Sequence, residues 1–237
     1  MLETLLNNRK HFTKKPYCED SDNVLGEQLE QVNTDSGRYY KTPAGVLYPS
    51  VTTVTGLMGA DAIKAWRARV GEQEANKISS AASKRGTRIH QLCEDYIDGS
   101  EIDPKDYDYN DFINFTLLKK VIDDNIDNIH MQEVRLYSDY LKLAGTVDCV
   151  AEFKGLLSII DFKTAKKAKN REYITNYFCQ AAAYAIMYEE RKGIPVSKIV
   201  IIISVDDDEV QVFEDRRNYY VDKLLEVRKQ YADQFGI

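Results

Sequence analysis

The spacing of hydrophobic residues changes along the chain, from a helical period in its first half to a strand period in its second. Between residues 60 and 124 apolar side chains recur three or four positions apart, as in the run from Ile89 to Ile97. This period places the apolar side chains on one face of a helix. The helices predicted from it cover residues 60–79, 80–98 and 108–124.

From residue 130 onwards, short runs of β-branched and aromatic residues separated by turn signals indicate strands. The predicted strands cover residues 131–137, 145–153, 156–163, 198–205 and 209–213, and further helices cover 171–192 and 214–235. This order of elements predicts an α/β domain with a mixed central sheet flanked by helices.

The polar residues 1–36 are interpreted as an extended N-terminal arm, and residues 37–237 as a single domain. At the start of that domain, the run Thr42-Pro43-Ala44-Gly45 predicts the turn of a hairpin. Ser50 then offers a side-chain cap for a following helix.

Composition excludes several classes of protein. The chain has 237 residues, of which 43% are hydrophobic and 30% charged, and its most apolar run, 199–205, is too short to span a bilayer. The N-terminus lacks the apolar core of a secretion signal, so we expect a cytoplasmic protein that is not secreted. The four cysteines include no C-x-x-C pair, which argues against a zinc ribbon or an iron–sulfur cluster and favours buried thiols. The net charge of −6 disfavours indiscriminate coating of nucleic acid but allows a local basic groove.

The most informative chemistry is a pair of carboxylates on the hairpin whose turn is 154–155. A two-residue turn there sets a register in which Asp148 faces Asp161, with Cβ atoms about 5 Å apart, and Lys163 points to the same face. Two such charges repel by about 3 kcal/mol at an effective dielectric near 20, so a raised pKa or a bound cation must compensate. Oxygen ligands at this separation suit Mg²⁺ or Mn²⁺, although an exposed surface cluster would contain the same residues. The opposite face is predicted to carry Val147, Cys149, Ile160 and Phe162.

Other polar residues fall at helical spacings near this hairpin. His90 shares a helix face with Gly86 and Glu94, away from the apolar stripe, where its imidazole could bind a metal. Gln180 and Tyr184 lie one turn apart on the helix that follows Lys163. Two basic runs adjoin the same region and indicate contact with a phosphate backbone. They comprise Lys84, Arg85 and Arg88, and Lys163, Lys166, Lys167, Lys169 and Arg171.

Four of these segments, taken in order, resemble motifs of the PD-(D/E)XK nuclease superfamily, specifically its RecB-like branch. They are Arg85-Gly86-Thr87-Arg88-Ile89-His90, Gly145-Thr146-Val147-Asp148, Ile159-Ile160-Asp161-Phe162-Lys163-Thr164 and Gln180-Ala181-Ala182-Ala183-Tyr184. The segment Tyr48-Pro49-Ser50-Val51-Thr52 adds a similarity to the mitochondrial genome maintenance exonuclease family and its phage relatives. The resemblance covers about residues 45–205 and implies a restriction-endonuclease-like core.

The resemblance also implies roles for individual residues. His90, Asp148, Asp161 and the backbone carbonyl of Phe162 would hold a divalent metal, and Lys163 would be the catalytic lysine. Gln180 and Tyr184 would position the lysine or the substrate backbone. Ser50 and Thr52 would bind a DNA phosphate, with Arg85, Arg88, Lys166 and Lys167 as further DNA contacts.

The function expected from this resemblance is a metal-dependent DNA exonuclease that acts on single strands or strand ends in replication, recombination or repair. No G-x-x-x-x-G-K-[ST] motif occurs, so a helicase or another partner would unwind the duplex. The cysteines of iron–sulfur members are absent, so no cluster is expected. The absence of a transit sequence favours a phage or bacterial protein. A structure-specific or flap endonuclease, a ribonuclease, and an inert nucleic-acid-binding accessory protein remain as alternatives.

Overall fold

The structure is a computed structural model that describes residues 9–15, 29–206 and 209–236. The strands within these ranges are β1 (Glu30–Thr34), β2 (Gly37–Lys41), β3 (Leu47–Pro49), β4 (Ile126–Ser138), β5 (Leu143–Phe153), β6 (Leu156–Ala165), β7 (Lys198–Val205) and β8 (Glu209–Arg216). The α-helices of the described part are α1 (Val51–Thr55), α2 (Ala60–Val70), α3 (Glu72–Asp98), α4 (Tyr109–Asn125), α5 (Thr175–Lys192) and α6 (Val221–Phe235).

A five-stranded sheet in the order β4-β5-β6-β7-β8 forms the centre of the molecule. The β6–β7 pair is parallel and the other neighbours are antiparallel, because α5 crosses over between β6 and β7 while hairpins join the rest. The mixed central sheet predicted from the sequence is therefore confirmed. A smaller antiparallel sheet, β1-β2-β3, contains the predicted hairpin, whose turn closes through a hydrogen bond from Gly45 N–H to the Thr42 carbonyl.

Helices cover both faces of the central sheet, and side chains alternate between two apolar cores. Ile159 and Ile201 pack in the core under α5 and α6, whereas the neighbouring Ile160 and Ile202 pack in the core under α3 and α4. This alternation is the period of two expected for strands buried on both faces. Because both faces of the sheet are buried, polar side chains can cluster only at the edges of the sheet and at the ends of its strands.

Several predicted boundaries were wrong. The break between the first two long helices is at Gly71, not near residue 79, because a glycine with φ of +86° ends α2 and begins α3. The final helix begins at Val221 rather than 214, since β8 continues to Arg216 in register with β7. The helix predicted from 171 begins as a 3₁₀ turn, Arg171–Ile174.

The described parts of the segment 1–36 are bound to the body of the protein. The Arg9 guanidinium donates to the carbonyls of Tyr96 and Ser100, and Lys10 Nζ donates to the carbonyl of Ile126 at 2.7 Å. Residues 30–34 form β1 and pair with β2. These contacts occupy two cations of the segment, while residues 1–8 and 16–28 lie outside the described residues, and the division at residue 36 stays a prediction.

The cysteines and the lengths of the helices bear on the classes of protein considered from composition. Cys93, Cys149 and Cys179 are buried thiols, as predicted, and Cys18 lies outside the described residues. Among the helices described, none has the length and apolarity needed to cross a membrane.

Candidate metal-binding and catalytic site

The predicted β5–β6 register is confirmed. Lys154 and Gly155 both have positive φ, at +53° and +75°, which is the geometry of a two-residue hairpin turn. The ladder then runs regularly from Phe153–Leu156 to Cys149–Ile160. Asp148 and Asp161 are the next positions along the two strands.

The regular ladder ends at this point, and the Asp148 side chain replaces the backbone acceptor. Asp148 Oδ2 accepts the backbone N–H of Phe162 at 2.8 Å. The prediction that Val147 shares a face with Cys149 was wrong: Val147 packs in the α5 core, whereas Cys149 packs in the α3 core. The change of side within two residues coincides with the end of the β5–β6 ladder, which no longer imposes strict alternation there.

Asp161 lies deep in the site and has two side-chain partners. Gln180 Nε2, from α5, donates to Asp161 Oδ1 at 3.0 Å, and Lys163 Nζ lies 2.5 Å from Asp161 Oδ2. Asp161 is 1% exposed, and this burial raises its pKa to about 6 although Lys163 opposes the shift. Burial also opposes the charge on Lys163, but Asp161 and Asp148 outweigh it and raise the pKa of the lysine, which is therefore an ammonium.

A second group of ligand atoms lies beside Asp148. Ligand atoms of His90, Glu133 and Asp148 all lie within 4.8 Å of one another, and His90 Nδ1 is 3.5 Å from Asp148 Oδ2. His90 reaches this position from α3, on the helix face predicted for it. An imidazole and two carboxylates are a donor set that divalent metals bind in proteins.

Glu133 was missed by the sequence analysis. The β4–β5 register pairs Gln132 with Cys149 and Val134 with Val147, so Glu133 is opposite Asp148. Three carboxylates on adjacent strands thus follow one another across the sheet, from Glu133 through Asp148 to Asp161. The only signal in the sequence is a glutamate within the strand predicted over residues 131–137, which in the structure already begins at Ile126. A register irregularity between Asp127 and Met131 means that the sequence pattern does not reveal the pairing with β5.

The carboxylates at this position repel one another. Burial raises the pKa of Glu133 to about 8, and the nearby Asp148, Glu94 and Asp161 add to the shift. A group that is ionised only with difficulty at neutral pH indicates missing positive charge. A divalent cation among these ligands would supply it, so the residues present fit such an ion.

Tyr184 packs beneath the site rather than opening into it. A Cβ at Gly145 would lie 2.8 Å from the Tyr184 hydroxyl and would clash with it. The Tyr184 ring can therefore pack against β5 only because residue 145 is glycine. Burial raises the pKa of Tyr184 well above its usual value. Gln180 and Tyr184 therefore contact the site from one helix face, Gln180 directly through Asp161.

The predicted phosphate-binding residues of the first helix have a structural role. Ser50 is 1% exposed and is the N-cap of α1, where its Oγ accepts the Thr53 N–H at 3.0 Å. Its hydroxyl also lies 3.0 Å from that of Thr52, which is exposed. Their contact with DNA stays a prediction.

The predicted basic contacts divide into paired and exposed residues. Arg85 makes two hydrogen bonds to Asp206, and Arg88 binds Asp111 and Asp108. Lys166 and Lys167 are exposed and make no ion pair with any residue in the described ranges. The structure therefore brings together His90, Asp148, Asp161, Phe162, Lys163 and Gln180. Arg85, Arg88 and Lys166 instead line a separate cleft.

The chain is similar to a protein family, to a curated relative and to a solved structure. The family model of the PD-(D/E)XK nuclease superfamily matches residues 111–235, more than half of the chain. Mitochondrial genome maintenance exonuclease 1 of Xenopus tropicalis is 27% identical in an alignment of 154 residues that covers 61% of this chain and 44% of that relative. The match thus spans less than half of the relative's length. A crystal structure from Eubacterium rectale with a provisional exonuclease assignment matches at a TM-score of 0.42 and 9% identity, over 63% of this chain and 65% of that one.

Proposed function

The chain belongs to the PD-(D/E)XK nuclease superfamily, and on that basis we propose that it is a divalent-metal-dependent deoxyribonuclease that degrades single-stranded DNA from its ends. The observation that carries the proposal is the row of carboxylates Glu133, Asp148 and Asp161, with His90 at one end and the Lys163 ammonium at the other. Charges so arranged have no structural purpose that uncharged residues would not serve better.

His90, Asp148 and Asp161, with the Phe162 carbonyl, are the proposed ligands of Mg²⁺ or Mn²⁺, and we add Glu133 to them. The chemistry that such an ion supplies is neutralisation of charge on the scissile phosphate and acidification of a water molecule. The Asp148–Phe162 hydrogen bond holds the first carboxylate in place. Gln180 holds Asp161 in place in the same way, because its amide donates to Oδ1 while Oδ2 faces Lys163.

Lys163 is the proposed catalytic residue. In phosphodiester hydrolysis a water oxygen bonds to phosphorus, one P–O ester bond breaks, and the leaving oxygen ends up protonated. The raised pKa of Lys163 keeps it an ammonium, so its role is to stabilise the negative charge that grows on the phosphoryl oxygens in the transition state. The Tyr177 ring lies 5.3 Å from Lys163 Nζ and restricts where the side chain can turn.

The finer assignment to exonuclease action is supported by the relative from Xenopus tropicalis, which is named as an exonuclease. Exposed Lys166 and Lys167, directly after the strand that carries Lys163, offer charge for a strand backbone. We further propose that the enzyme acts in replication, recombination or repair in the cytoplasm of a bacterial or phage-infected cell, where a helicase would provide the single strands.

The test is a cleavage assay with linear single strands labelled at the 5′ or the 3′ end, linear duplex and circular single strand. Each substrate is incubated with Mg²⁺, Mn²⁺ or EDTA, and the Lys163→Ala variant controls for contaminating nucleases. We expect metal-dependent loss of linear single strands, intact circles, and a rate at least about 100-fold lower in the variant. The two labels give the polarity.

Other outcomes would overturn parts of the proposal. Cleaved circles would identify an endonuclease on the same site. Equal cleavage by Lys163→Ala would remove the lysine from the mechanism. An inert wild-type protein that binds DNA with either metal would identify a binding module.

A further inference from the structure

A second cleft, of about 540 Å³, lies beside α3 but faces away from His90. Its lining from α3 includes Ala82, Arg85 and Arg88, whereas His90 and Gly86 line the metal-binding cleft. At 3.6 residues per turn these two sets point to different sides of the helix. α3 therefore separates the two clefts.

The cleft opens at the carboxyl ends of the two parallel strands. Lys166 follows β6 and Asp206 follows β7, and the two strand ends are joined by a hydrogen bond from Asp206 N–H to the Ala165 carbonyl at 3.0 Å. The carboxyl ends of parallel strands are where open α/β sheets commonly bind ligands. The first turns of α4 form the opposite wall.

The charges that line this cleft cancel. Arg85 is paired with Asp206, and Arg88 is paired with Asp111, which is 1% exposed, and with Asp108. With Lys166, the lining has three cations and three carboxylates. A lining of zero formal charge favours neither an isolated phosphate nor a metal ion. It suits a neutral ligand that presents both donors and acceptors.

Two polar groups in the lining have no hydrogen-bond partner among the residues that the structure describes. Asn114, from α4, is only 9% exposed, and its side chain makes no hydrogen bond to any other residue that the structure describes. The Nε–H of Arg85 is buried and likewise has no acceptor within the described ranges. The amide atoms of Asn114 stay accessible from the cleft, so its oxygen and NH₂ can bind a donor and an acceptor that a ligand presents side by side.

We propose that this cleft binds an unpaired nucleobase of the DNA strand that is being degraded. The edge of a nucleobase presents adjacent donors and acceptors, and asparagine pairs with such an edge through two hydrogen bonds. Guanidinium groups such as that of Arg85 also stack on bases that are splayed out of a single strand. A volume of about 540 Å³ accommodates a base and its sugar.

Gly86 is the position at which we expect the DNA strand to cross α3 from one cleft to the other. It lies inside α3, where glycine is unfavourable, yet a Cβ there would meet only Thr164 Oγ1 at 3.8 Å, an ordinary contact. Packing therefore does not require glycine at this position. A strand backbone that crosses α3 at Gly86 would require it, because close approach of a ligand is one reason for the residue. Arg85 and His90 are about 7.5 Å apart along the helix axis, within reach of nearby nucleotides.

This inference rests on the proposed function and adds to it a reason for single-strand preference. A base whose hydrogen-bonding edge is bound by Asn114 cannot be paired at the same time. Duplex DNA would have to unpair at that nucleotide before it could bind, which costs free energy that a single strand does not lose.

The experiment measures binding of the full-length chain to fluorescent single strands by anisotropy, with EDTA present so that no strand is cut. An abasic nucleotide is moved through the strand one position at a time. We expect one position at which loss of the base weakens binding about 10-fold in the wild-type protein and not in Asn114→Ala. Asn114→Asp, which keeps the shape of the side chain and loses its NH₂ donors, should change the preferred base at that position.

Controls separate the possible failures. Asn218→Ala makes the same change at an exposed position outside the cleft and should behave as wild type. Thermal unfolding verifies that Asn114→Ala folds. A flat abasic scan in a protein that still binds and cleaves single strands would overturn this inference alone. A protein that neither binds nor cleaves them would overturn the proposed function.

Two further arms exclude other ligands. Neutral methylphosphonate linkages are scanned in the same way, and dependence on a linkage rather than a base would show that the cleft binds phosphate and overturn the inference. Free deoxynucleoside monophosphates are added as competitors. Competition that requires Asn114 in a protein whose abasic scan is flat would identify a free nucleotide as the ligand, and would likewise overturn it.

Discussion

The carboxylate of Asp148 accepts the backbone N–H of Phe162 at 2.8 Å, at the position where the β5–β6 ladder has just ended. One side chain therefore continues the pairing of two strands and also lies 3.5 Å from the His90 imidazole. Folding energy thus holds a proposed metal ligand in position before any ion binds. The two roles of Asp148 can be separated by substitution.

Asp148→Asn removes the charge and keeps an oxygen that can accept the Phe162 N–H. We expect this variant to fold at least as stably as the wild type, because a repelling charge is removed, but to lose its affinity for Mn²⁺ and at least about 100-fold in cleavage rate. Asp148→Ala leaves the N–H without its partner and should also lose about 1 kcal/mol of unfolding free energy. Thermal unfolding and titration calorimetry with Mn²⁺ measure the two effects, and an Asn variant that cleaves normally would contradict the assignment.

Glu133→Gln tests the residue that only the structure identified. Removal of one of the mutually repelling carboxylates should stabilise the metal-free protein by about 1 kcal/mol at most. The gain is small because a high effective dielectric weakens the repulsion between the carboxylates. The same variant should show a smaller rise in Tm on addition of Mn²⁺, because a ligand that binds the folded state more weakly stabilises it less. Glu209→Gln, exposed on β8, is the matched control. An unchanged metal response would exclude Glu133 as a ligand.

Gly86→Ala separates stability from binding. Alanine is favoured over glycine inside a helix by up to about 1 kcal/mol, and the space at this position accepts a Cβ, so the variant should unfold at a higher temperature. If a strand crosses α3 there, its affinity should fall about 10-fold. Ser83→Ala, exposed on the same helix, should change neither property strongly. Undiminished affinity in Gly86→Ala would mean that the strand takes another path.

His130 predicts how stability depends on pH away from the proposed site. Burial lowers the pKa of His130, whose Nδ1 is 2.9 Å from the Tyr188 hydroxyl. The unfolded chain then binds a proton that the folded protein excludes, so stability is complete above pH 6.5 and is lost as the pH falls below it, by up to about 1.4 kcal/mol per pH unit. His130→Gln, which cannot titrate, should have a shallower decline of Tm between pH 6.5 and 5. A decline as steep as in the wild type would assign the acid sensitivity to other groups.

Local sequence was sufficient to predict the central feature of the site. The positive φ of Lys154 and Gly155 makes a two-residue turn, and a turn of that length leaves one register for β5 and β6. The relation of Asp148 to Asp161 is therefore a property of the continuous segment 148–161. The helical period similarly predicted that His90 lies on a polar helix face. Gln180 lies on α5, the helix that follows β6 along the chain, and is therefore close to the end of the strand that carries Lys163.

Tertiary structure decided what depends on partners distant in the chain. Glu133 joins the site because the irregular β4–β5 pairing brings it opposite Asp148, and no local pattern determines a register across such an irregularity. The pairing of Arg85 with Asp206, 121 residues away, and the cleft around Asn114 arise where α3, α4 and the ends of β6 and β7 meet. Sequence periodicity specifies which face of each element is apolar, whereas the packing of those elements determines which polar side chains meet at their ends.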